Sequence, residues 1–266
     1  MLTRENFIKS PVKIKDDLYA LFKKEDNLVI FDIGACEAED SIRYSMLFPQ
    51  STVFAFEPRP DNLQKGNALI KEYGKKNIIL ESIALSNENG VAEFFLSEGE
   101  PDDLKNDDNW NYGNKSSSLL PPSEEMKKHT EWLNFKNKIQ VNTLRLDNYV
   151  AGKKIEGIDF IHMDVQGAEL MVLDGAGVFL NKIKLIWLEV EAVELYKGQP
   201  LKSNVEEYMQ KNNFVNVLDT VDNISGDQLY LNRSFFSDEI IQKLKSKKRG
   251  KSFVSRVIAF VKYKIK

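Results

Sequence analysis

The two stretches LVIFDIGACEAEDS (28–41) and TVFAFEP (52–58) decide the fold class of this 266-residue chain. Each contains an apolar run typical of a strand that is buried on both faces. The first run leads into a turn with Gly34, and a helix is predicted over 41–48 because Pro49 would end it. This strand–helix–strand alternation predicts an α/β fold with a parallel sheet and right-handed crossovers.

The same alternation extends to both sides of this unit. One or two helices are predicted within residues 5–25, ahead of the first strand. Downstream, the pattern predicts strands over 78–80, 91–96, 158–165, 184–191, 214–219 and 227–232, with helices over 61–73, 168–180 and 203–212. The chain therefore divides into an N-terminal helical segment (1–26), a main domain (27–236) and a C-terminal tail (237–266).

Composition limits the class of protein. The chain is 42% hydrophobic and 29% charged, which is typical of globular domains. Its single cysteine, Cys36, excludes an intramolecular disulfide and indicates a reducing compartment. No run reaches the roughly 18 apolar residues of a membrane span, and the charged start is unlike a secretory signal. We therefore expect a cytoplasmic protein.

Charge is distributed unevenly along the chain. The net charge is −3, made up of +8 over residues 237–266 and −11 over residues 1–236. An acidic body argues against a nucleic-acid partner. Residues 246–266 combine an apolar helical face with flanking lysines and arginines, which predicts peripheral binding to an anionic membrane surface. Docking of this tail on the acidic body, or on a partner chain, is the alternative.

The turn after the first strand indicates a nucleoside-containing cofactor. Glu57 ends the next strand, 23 residues after Gly34, and in doubly wound folds such an acid accepts hydrogen bonds from ribose hydroxyls. The turn also carries Glu37, Glu39 and Asp40, whose charges would repel a pyrophosphate. The sulfonium and ammonium groups of S-adenosylmethionine suit such a turn. That cofactor is predicted, and an NAD-dependent sugar oxidoreductase is the alternative.

Further carboxylates follow two later strands. Asp164 comes at the end of one predicted strand, and Glu189 and Glu191 share a face at the end of the next. Ligands of open α/β sheets bind outside these ends, so if the two strands are neighbours the three acids converge, to share a proton, hold a divalent cation or bind a basic or hydroxylated ligand. Asp164 is the first candidate base, with His162 and the two glutamates in reserve. A helix cap, a core histidine and glutamates bonded to loop amides are the structural alternatives.

Periodicity fails between residues 97 and 138, where Asp, Asn, Ser and Pro accumulate. Long irregular segments inside a domain are functional or disordered. This one carries Trp110, Tyr112 and Trp132, together with His129, and aromatic faces with polar neighbours suit sugar rings. A mobile substrate lid is predicted here. The alternative is a loop whose aromatic rings simply pack on the body.

Several stretches resemble FkbM-family methyltransferases in content and order. They are FDIGACEAEDS, VFAFEP, IALSNENG, TLRLDNY, DFIHMDVQGAELMVLDGA and LIWLEVE, and the resemblance covers residues 28–232. It implies a Rossmann-like class I methyltransferase fold: a seven-stranded, mostly parallel sheet with helices on both faces and an antiparallel last strand. It also implies S-adenosylmethionine-dependent O-methylation, here of a sugar hydroxyl on a glycan or glycolipid precursor. A non-catalytic cofactor-binding scaffold is a further alternative.

The resemblance also implies roles for individual residues. The methionine portion of the cofactor would contact the turn after the first strand, the ribose would contact Glu57, and Asp164 would lie near the transferred methyl group. The full set of residues expected at the cofactor is Asp32, Gly34, Ala35, Glu37, Ser41, Glu57, Pro58, Ser82, Ile83, Ala84 and Asp164. The chain departs from the family at Cys36 and Ala38, where Asn and Gly are more usual. Ala38 is tolerable if its φ is negative.

Overall fold

The computed structural model describes residues 3–100 and 110–247. Its strands are β1 (Val29–Ile33), β2 (Thr52–Phe56), β3 (Ile78–Glu81), β4 (Ala84–Ser86), β5 (Gly90–Glu98), β6 (Asn134–Arg145), β7 (Ile158–Met163), β8 (Ile183–Glu191), β9 (Phe214–Asp219) and β10 (Ser225–Asn232). Its α-helices are α1 (Arg4–Lys9), α2 (Lys15–Leu21), α3 (Glu39–Leu47), α4 (Pro60–Glu72), α5 (Glu124–His129), α6 (Leu146–Lys153), α7 (Glu169–Ala176), α8 (Lys202–Lys211) and α9 (Asp238–Lys245).

Seven strands form the central sheet, in the order β3-β2-β1-β7-β8-β10-β9. Within this order, β3, β2, β1, β7 and β8 are parallel to one another, whereas β10 runs antiparallel to both of its neighbours. This arrangement confirms the predicted mostly parallel sheet with an antiparallel last strand. The strand order reverses at β1, because β2 and β7 lie on its two sides. The crevice at the carboxyl ends of β1 and β7 is therefore the point where such folds bind ligands.

Helices cover both faces of the sheet, as predicted. Alternate strand residues point to opposite faces, so neighbouring apolar residues of one strand enter different cores. Phe31 and Ile161 pack in the core under α6, α7 and α8. Ile30 and Phe160 pack in the core under α2, α3 and α9. The strands are thus buried on both faces, which is why each of them is a continuous apolar run in the sequence.

The body of the protein extends beyond the predicted boundary at residue 236. Ser237 caps α9, and this helix buries Ile241 and Leu244 in the core it shares with α2 and α3. Lys247 Nζ lies 3.1 Å from Asp17 Oδ1. The remainder of the predicted membrane-binding segment, residues 248–266, lies outside the described residues. Within the described ranges, no helix has the length and apolar character needed to cross a bilayer.

The region 97–138 is more regular than its composition suggests. In the second sheet, of order β4-β6-β5, strand β5 ends in this region and β6 begins in it, and the described part of the region also holds a 3₁₀ turn (Gly113–Ser116) and α5. Ser123 caps α5 by accepting from two amides, and its hydroxyl donates to the carbonyl oxygen of Glu194. The segment is ordered by partners distant in sequence, which periodicity within 97–138 cannot indicate.

Candidate functional site

The turn after β1 joins three strands at the crevice. The amides of Gly34 and Ala35 both donate to the carbonyl oxygen of Phe56 at 3.0 Å, and the Asp164 amide donates to the carbonyl oxygen of Ile33 at 3.0 Å. Gly34 has φ +87°, and a Cβ added there would lie 1.9 Å from the carbonyl oxygen of Asp164. Glycine is therefore required here both by the backbone conformation and by the approach of β7.

Two further turn positions adopt left-handed backbone. Cys36 has φ +51° and Ala38 has φ +66°. The condition under which Ala38 would be tolerated without strain, a negative φ, is therefore not met. The left-handed conformation costs an ordinary residue roughly 1–2 kcal/mol, whereas Gly avoids this cost and Asn tolerates the conformation better. The more usual Asn and Gly at these positions are explained by this geometry, and the chain retains the turn despite the cost.

Glu37 is held behind the turn by basic and polar side chains. It is fully buried, and its carboxylate accepts hydrogen bonds from Arg4, from Lys65 Nζ at 2.9 Å and from Asn114 Nδ2 at 2.8 Å. A buried carboxylate needs such partners, since desolvation of an unpaired charge is costly. Glu37 thus ties α1 and α4 to the turn.

The other two turn carboxylates are also paired. Glu39 Oε1 accepts from Trp110 Nε1 at 2.6 Å and lies 3.2 Å from Lys115 Nζ. Asp40 lies 2.6 Å from Arg43. Together with Glu37, these acids face four basic side chains, so the turn carries no excess of negative charge. The repulsion argument drawn from the turn sequence is therefore wrong, and discrimination between cofactors must have another source.

Two cavities open at the crevice, with volumes of about 310 Å³ and about 50 Å³. They share a wall, which we call the junction. The residues that line both cavities, and so define the junction, are Gly34, Cys36, Lys115, Asp164 and Gln166. The two cavities are therefore adjacent, and the junction separates them.

The smaller cavity combines apolar walls with one carboxylate. Ile83 and Ala84 line it beside Pro58 and Glu57. Glu57 accepts hydrogen bonds from the amides of Cys36 at 2.9 Å and Arg59 at 2.7 Å. Burial raises the pKa of Glu57 to about 8, although these two amides lower it in part. The arrangement suits a flat apolar base with adjacent hydroxyl groups.

The larger cavity contains a pair of carboxylates joined by one amide. Gln166 Nε2 lies 2.5 Å from both Asp164 Oδ1 and Glu189 Oε2, and Glu191 lines the same cavity. An amide nitrogen carries two protons, so it can donate one to each carboxylate. The predicted convergence of Asp164 with Glu189 is thus found, with a glutamine between them.

Gln166 is itself fixed by Tyr196. Its backbone is left-handed, with φ +58°. Its Oε1 accepts from the hydroxyl of Tyr196 at 2.8 Å, and this fully buried hydroxyl also lies 2.7 Å from the carbonyl oxygen of Ser116. The two carboxylates require the Nε2 end of the amide, and the Tyr196 hydroxyl, whose one proton lies between Ser116 O and Gln166 Oε1, supports that orientation from the other side.

His162 forms an ion pair across β1 and β7. Its Nδ1 lies 2.8 Å from Asp32 Oδ1, and Ser41 donates to the other carboxylate oxygen of Asp32. Burial alone would lower the pKa of His162, but the hydrogen bond and charge of Asp32, with the charges of Asp40 and Asp164, raise it to about 9. At neutral pH the imidazole is protonated, which makes it a poor general base.

Three residues predicted to contact a cofactor, Glu37, Ser41 and Ser82, line neither cavity. Glu37 and Ser41 lie behind the turn, where they support it and Asp32. The other residues of that predicted set line one or both cavities: Asp32, Gly34, Ala35, Glu57, Pro58, Ile83, Ala84 and Asp164.

The predicted substrate-binding aromatic residues line the larger cavity. They are Trp110, Tyr112 and Trp132, and His129 lies with them. Trp110 and Tyr112 are also buried, and Trp110 packs against Phe7 of α1 with ring centres 5.4 Å apart. Packing on the body and lining the cavity are therefore compatible for these side chains.

The described residues contain no group of three or more His, Cys, Asp or Glu side chains arranged to hold a metal ion. Asp164, Glu189 and Glu191 line one cavity without forming such a group. Lys115, Gln166 and Tyr196 also belong to the site, although no sequence pattern predicts a role for them. Gln166 was detectable, because it lies within the stretch that carries Asp164, whereas the other two lie in irregular segments without a pattern.

Comparison with known proteins gives a family and a relative. A family model described as the methyltransferase FkbM domain matches residues 32–215. The 2-O-methyltransferase NoeI of Sinorhizobium fredii (strain NBRC 101917 / NGR234) is 32% identical over 195 residues, which cover 73% of this chain and 76% of that protein.

Solved structures resemble the chain more distantly. The methyltransferase FkbM from Methylobacillus flagellatus KT shares 15% identity with a TM-score of 0.48, over 86% of this chain and 50% of that one, so this chain spans about half of its length. SMU.1697c, a putative methyltransferase from Streptococcus mutans in complex with SAH, shares 13% identity with a TM-score of 0.43, over 84% and 96%. Similarity at this level carries no information about the acceptor.

Proposed function

The chain belongs to the FkbM methyltransferase family and uses S-adenosylmethionine, and on that premise we propose that it methylates a hydroxyl oxygen of a carbohydrate acceptor. One observation carries this proposal: Asp164 and Glu189, whose carboxylates both accept from the Gln166 side chain, lie in a cavity lined by aromatic side chains. The relative NoeI, whose name gives 2-O-methylation, supports oxygen as the methylated atom.

The residues around the junction fit S-adenosylmethionine. The smaller cavity offers apolar walls and Glu57 for the adenosine portion, and the larger cavity offers the turn after β1 for the methionine portion. The absence of a Cβ at Gly34 lets the backbone of Asp164 approach the turn, which brings the end of β7 to the junction. When bound, the cofactor supplies an electrophilic methyl group on a sulfonium ion.

Charge in the larger cavity favours a cationic ligand. Asp164 and Glu189 are bridged by a neutral amide, in contrast to the carboxylates of the turn. Opposite charges attract more strongly in a partly desolvated cavity than in water. The discrimination against diphosphates that was assigned to the turn is thus better assigned to the ends of β7 and β8.

Asp164 is the side chain best placed to accept the proton of an acceptor hydroxyl. It belongs to the junction, whereas Glu189 lines only the larger cavity. Bound S-adenosylmethionine would supply the methyl group to the acceptor oxygen, with S-adenosylhomocysteine as the leaving group, and Asp164 would take the proton released. A methyl ether results. General-base assistance of this kind contributes roughly 10²–10⁴-fold.

The remaining side chains orient the acceptor. Glu189 shares the amide of Gln166 with Asp164, so it is positioned to accept a second hydroxyl of a polyol. Trp110 and Trp132 offer apolar faces beside these polar groups, a combination that suits a sugar ring. His162 is paired with Asp32 and carries a proton at neutral pH, so its positive charge acts on the nearby carboxylates of the site.

The test is methyl transfer to a defined panel of acceptors. The full chain is incubated with methyl-labelled S-adenosylmethionine and with monosaccharides, oligosaccharides and glycolipids, beside matched amines and thiols. We expect label in a methyl ether of a sugar, located by mass spectrometry. Label found only on nitrogen or sulfur acceptors would contradict the proposal, as would an absence of transfer to every sugar by a chain that binds the cofactor.

A further inference from the structure

Lys115 lies at the junction, where no function has been assigned to it. It lines both cavities, and its Nζ lies 3.2 Å from Glu39 Oε1 and 5.0 Å from the centre of the Trp110 ring. Its side chain is 31% exposed, so the ammonium group is accessible from the cavity. Burial alone would lower the pKa of Lys115, but the charges of Glu39 and Glu37 contribute to raising it above the usual lysine value. The group stays charged.

The larger cavity needs a cation for one part of its ligand. Among the described residues that line it, Lys115 and the protonated His162 are the positive groups, against seven carboxylates, and His162 is already paired with Asp32 at 2.8 Å. The methionine portion of S-adenosylmethionine carries an α-carboxylate. An anion transferred from water into such surroundings is costly unless a positive group or several hydrogen-bond donors meet it.

Four backbone amides of the turn are already used. Gly34 and Ala35 donate to Phe56, and Ala38 donates to the carbonyl oxygen of Ala35. Cys36 donates to Glu57. These four amides are therefore engaged within the fold, whereas the Lys115 ammonium brings a full positive charge to the junction.

Glu39 does not depend on Lys115 alone. Its Oε1 also accepts from Trp110 Nε1 at 2.6 Å and lies 3.8 Å from Arg4 Nε. The lysine ammonium has three protons, so it can contact Glu39 and a second anion at the same time. Recruitment of Lys115 by a ligand thus leaves no buried carboxylate without a partner.

We propose that Lys115 binds the α-carboxylate of the methionine portion of the cofactor. This role rests on the S-adenosylmethionine-dependent activity, and it adds a specific anchor from the region 97–138 to the cofactor site. It explains why a lysine of that region reaches the turn after β1. It is independent of which acceptor the enzyme methylates.

The test compares two probes that differ only in the carboxylate. S-adenosylhomocysteine and its decarboxylated analogue are titrated calorimetrically into the full chain and into Lys115→Met. We expect the substitution to weaken the binding of S-adenosylhomocysteine by about tenfold or more, which is about 1.4 kcal/mol. The binding of the analogue should weaken by less than about twofold. Lys115→Arg keeps the positive charge and should retain the preference for the carboxylate-bearing probe.

Lys65→Met is the matched control. Lys65 pairs with Glu37 of the same turn at 2.9 Å but lines neither cavity. It should change the affinity of both probes by less than about twofold. Equal weakening of both probes by Lys115→Met would overturn the proposal and indicate a structural role, and unchanged affinity for both would overturn it too. A wild-type chain that binds neither probe would instead contradict the cofactor assignment.

Discussion

The turn after β1 and the ends of β7 and β8 each bring three carboxylates to the same crevice, and the two regions treat them differently. In the turn, Glu37, Glu39 and Asp40 all pair with lysine or arginine side chains. At the strand ends, Asp164 and Glu189 share the neutral amide of Gln166, and the charged His162 lies within electrostatic reach of Asp164. The first region is a charge-balanced support, and the second offers basic oxygens to a substrate.

The basic partners of Glu37 and Glu39 in the turn are distant from them in sequence. Arg4 and Lys65 lie 33 and 28 residues from Glu37, and Lys115 lies 76 residues from Glu39. Breaking a buried ion pair on one side leaves an uncompensated charge and costs roughly 3–5 kcal/mol. Acidic residues in a turn therefore indicate a charged site only when the rest of the fold leaves them without basic neighbours.

The largest expected effect comes from Gly34→Ala, which would push the turn after β1 and the end of β7 apart. The new Cβ would meet the carbonyl oxygen of Asp164 at 1.9 Å, in left-handed backbone. We expect strain and displacement together to destabilise the fold by about 2–5 kcal/mol in urea unfolding.

Gly74→Ala is the matched control for that substitution. Gly74 has φ +62°, and no described neighbour lies within 4 Å of the added Cβ. Only the backbone cost of about 1–2 kcal/mol should appear there. Equal losses at the two positions would show that the close approach of β7 to Gly34 has no energetic importance.

A second effect concerns the ion pair between His162 of β7 and Asp32 of β1. The pKa of His162 is raised from 6.5 to about 9, so the pair stabilises the fold fully below pH 6.5 and loses this contribution as the pH rises through about 9. The stability difference between wild type and His162→Gln should shrink over that window by up to about 3 kcal/mol. A difference that stays constant or grows with pH would contradict the assignment.

Tyr196→Phe tests whether the strand-end carboxylates depend on the orientation of Gln166. Loss of the hydroxyl removes the contact with Gln166 Oε1 at 2.8 Å. Turnover should fall about tenfold with little change in S-adenosylhomocysteine affinity, and stability should fall by about 1 kcal/mol. The rate of methyl transfer and urea unfolding measure the two effects.

Tyr149→Phe is the control for a lost buried hydroxyl. Tyr149 is buried, and its hydroxyl donates to Glu81 Oε1 at 2.9 Å, away from both cavities. It should show a similar loss of stability with unchanged turnover. If both variants lose turnover equally, Tyr196 has no specific positioning role.

The smallest effect is expected from Ala38→Gly in the supporting turn. Relief of left-handed strain, about 1–2 kcal/mol, is offset by the loss of a buried methyl group worth about 0.8 kcal/mol. Thermal unfolding should show a stabilisation of about 1 kcal/mol or less. A clear destabilisation would mean that the methyl group packs better than its strained backbone suggests.

The sheet was predictable from sequence because its strands are apolar on both faces. Ile30 and Phe31, neighbours in β1, enter opposite cores, so the strand reads as a continuous apolar run. The 3₁₀ turn and α5 of the region 97–138 were missed. Ser116 and Ser123 contact Tyr196 and Glu194, and such tertiary contacts leave no periodic pattern.

The site was predictable where a residue type marks the end of a strand. Gly34, Glu57 and Asp164 were identified in this way, and all three line the cavities. The positive φ of Ala38 and the position of Lys115 depend on the folded backbone. Local sequence does not encode either feature.

The most direct test of the contrast between the two regions is a pair of isosteric substitutions measured together. Asp164→Asn should reduce methyl transfer to the sugar acceptor by about a hundredfold or more, with S-adenosylhomocysteine affinity changed by less than about threefold. Glu37→Gln should lower stability in urea and leave methyl transfer within about threefold of wild type. Retained methyl transfer in Asp164→Asn, or an equally severe loss in Glu37→Gln, would contradict the account.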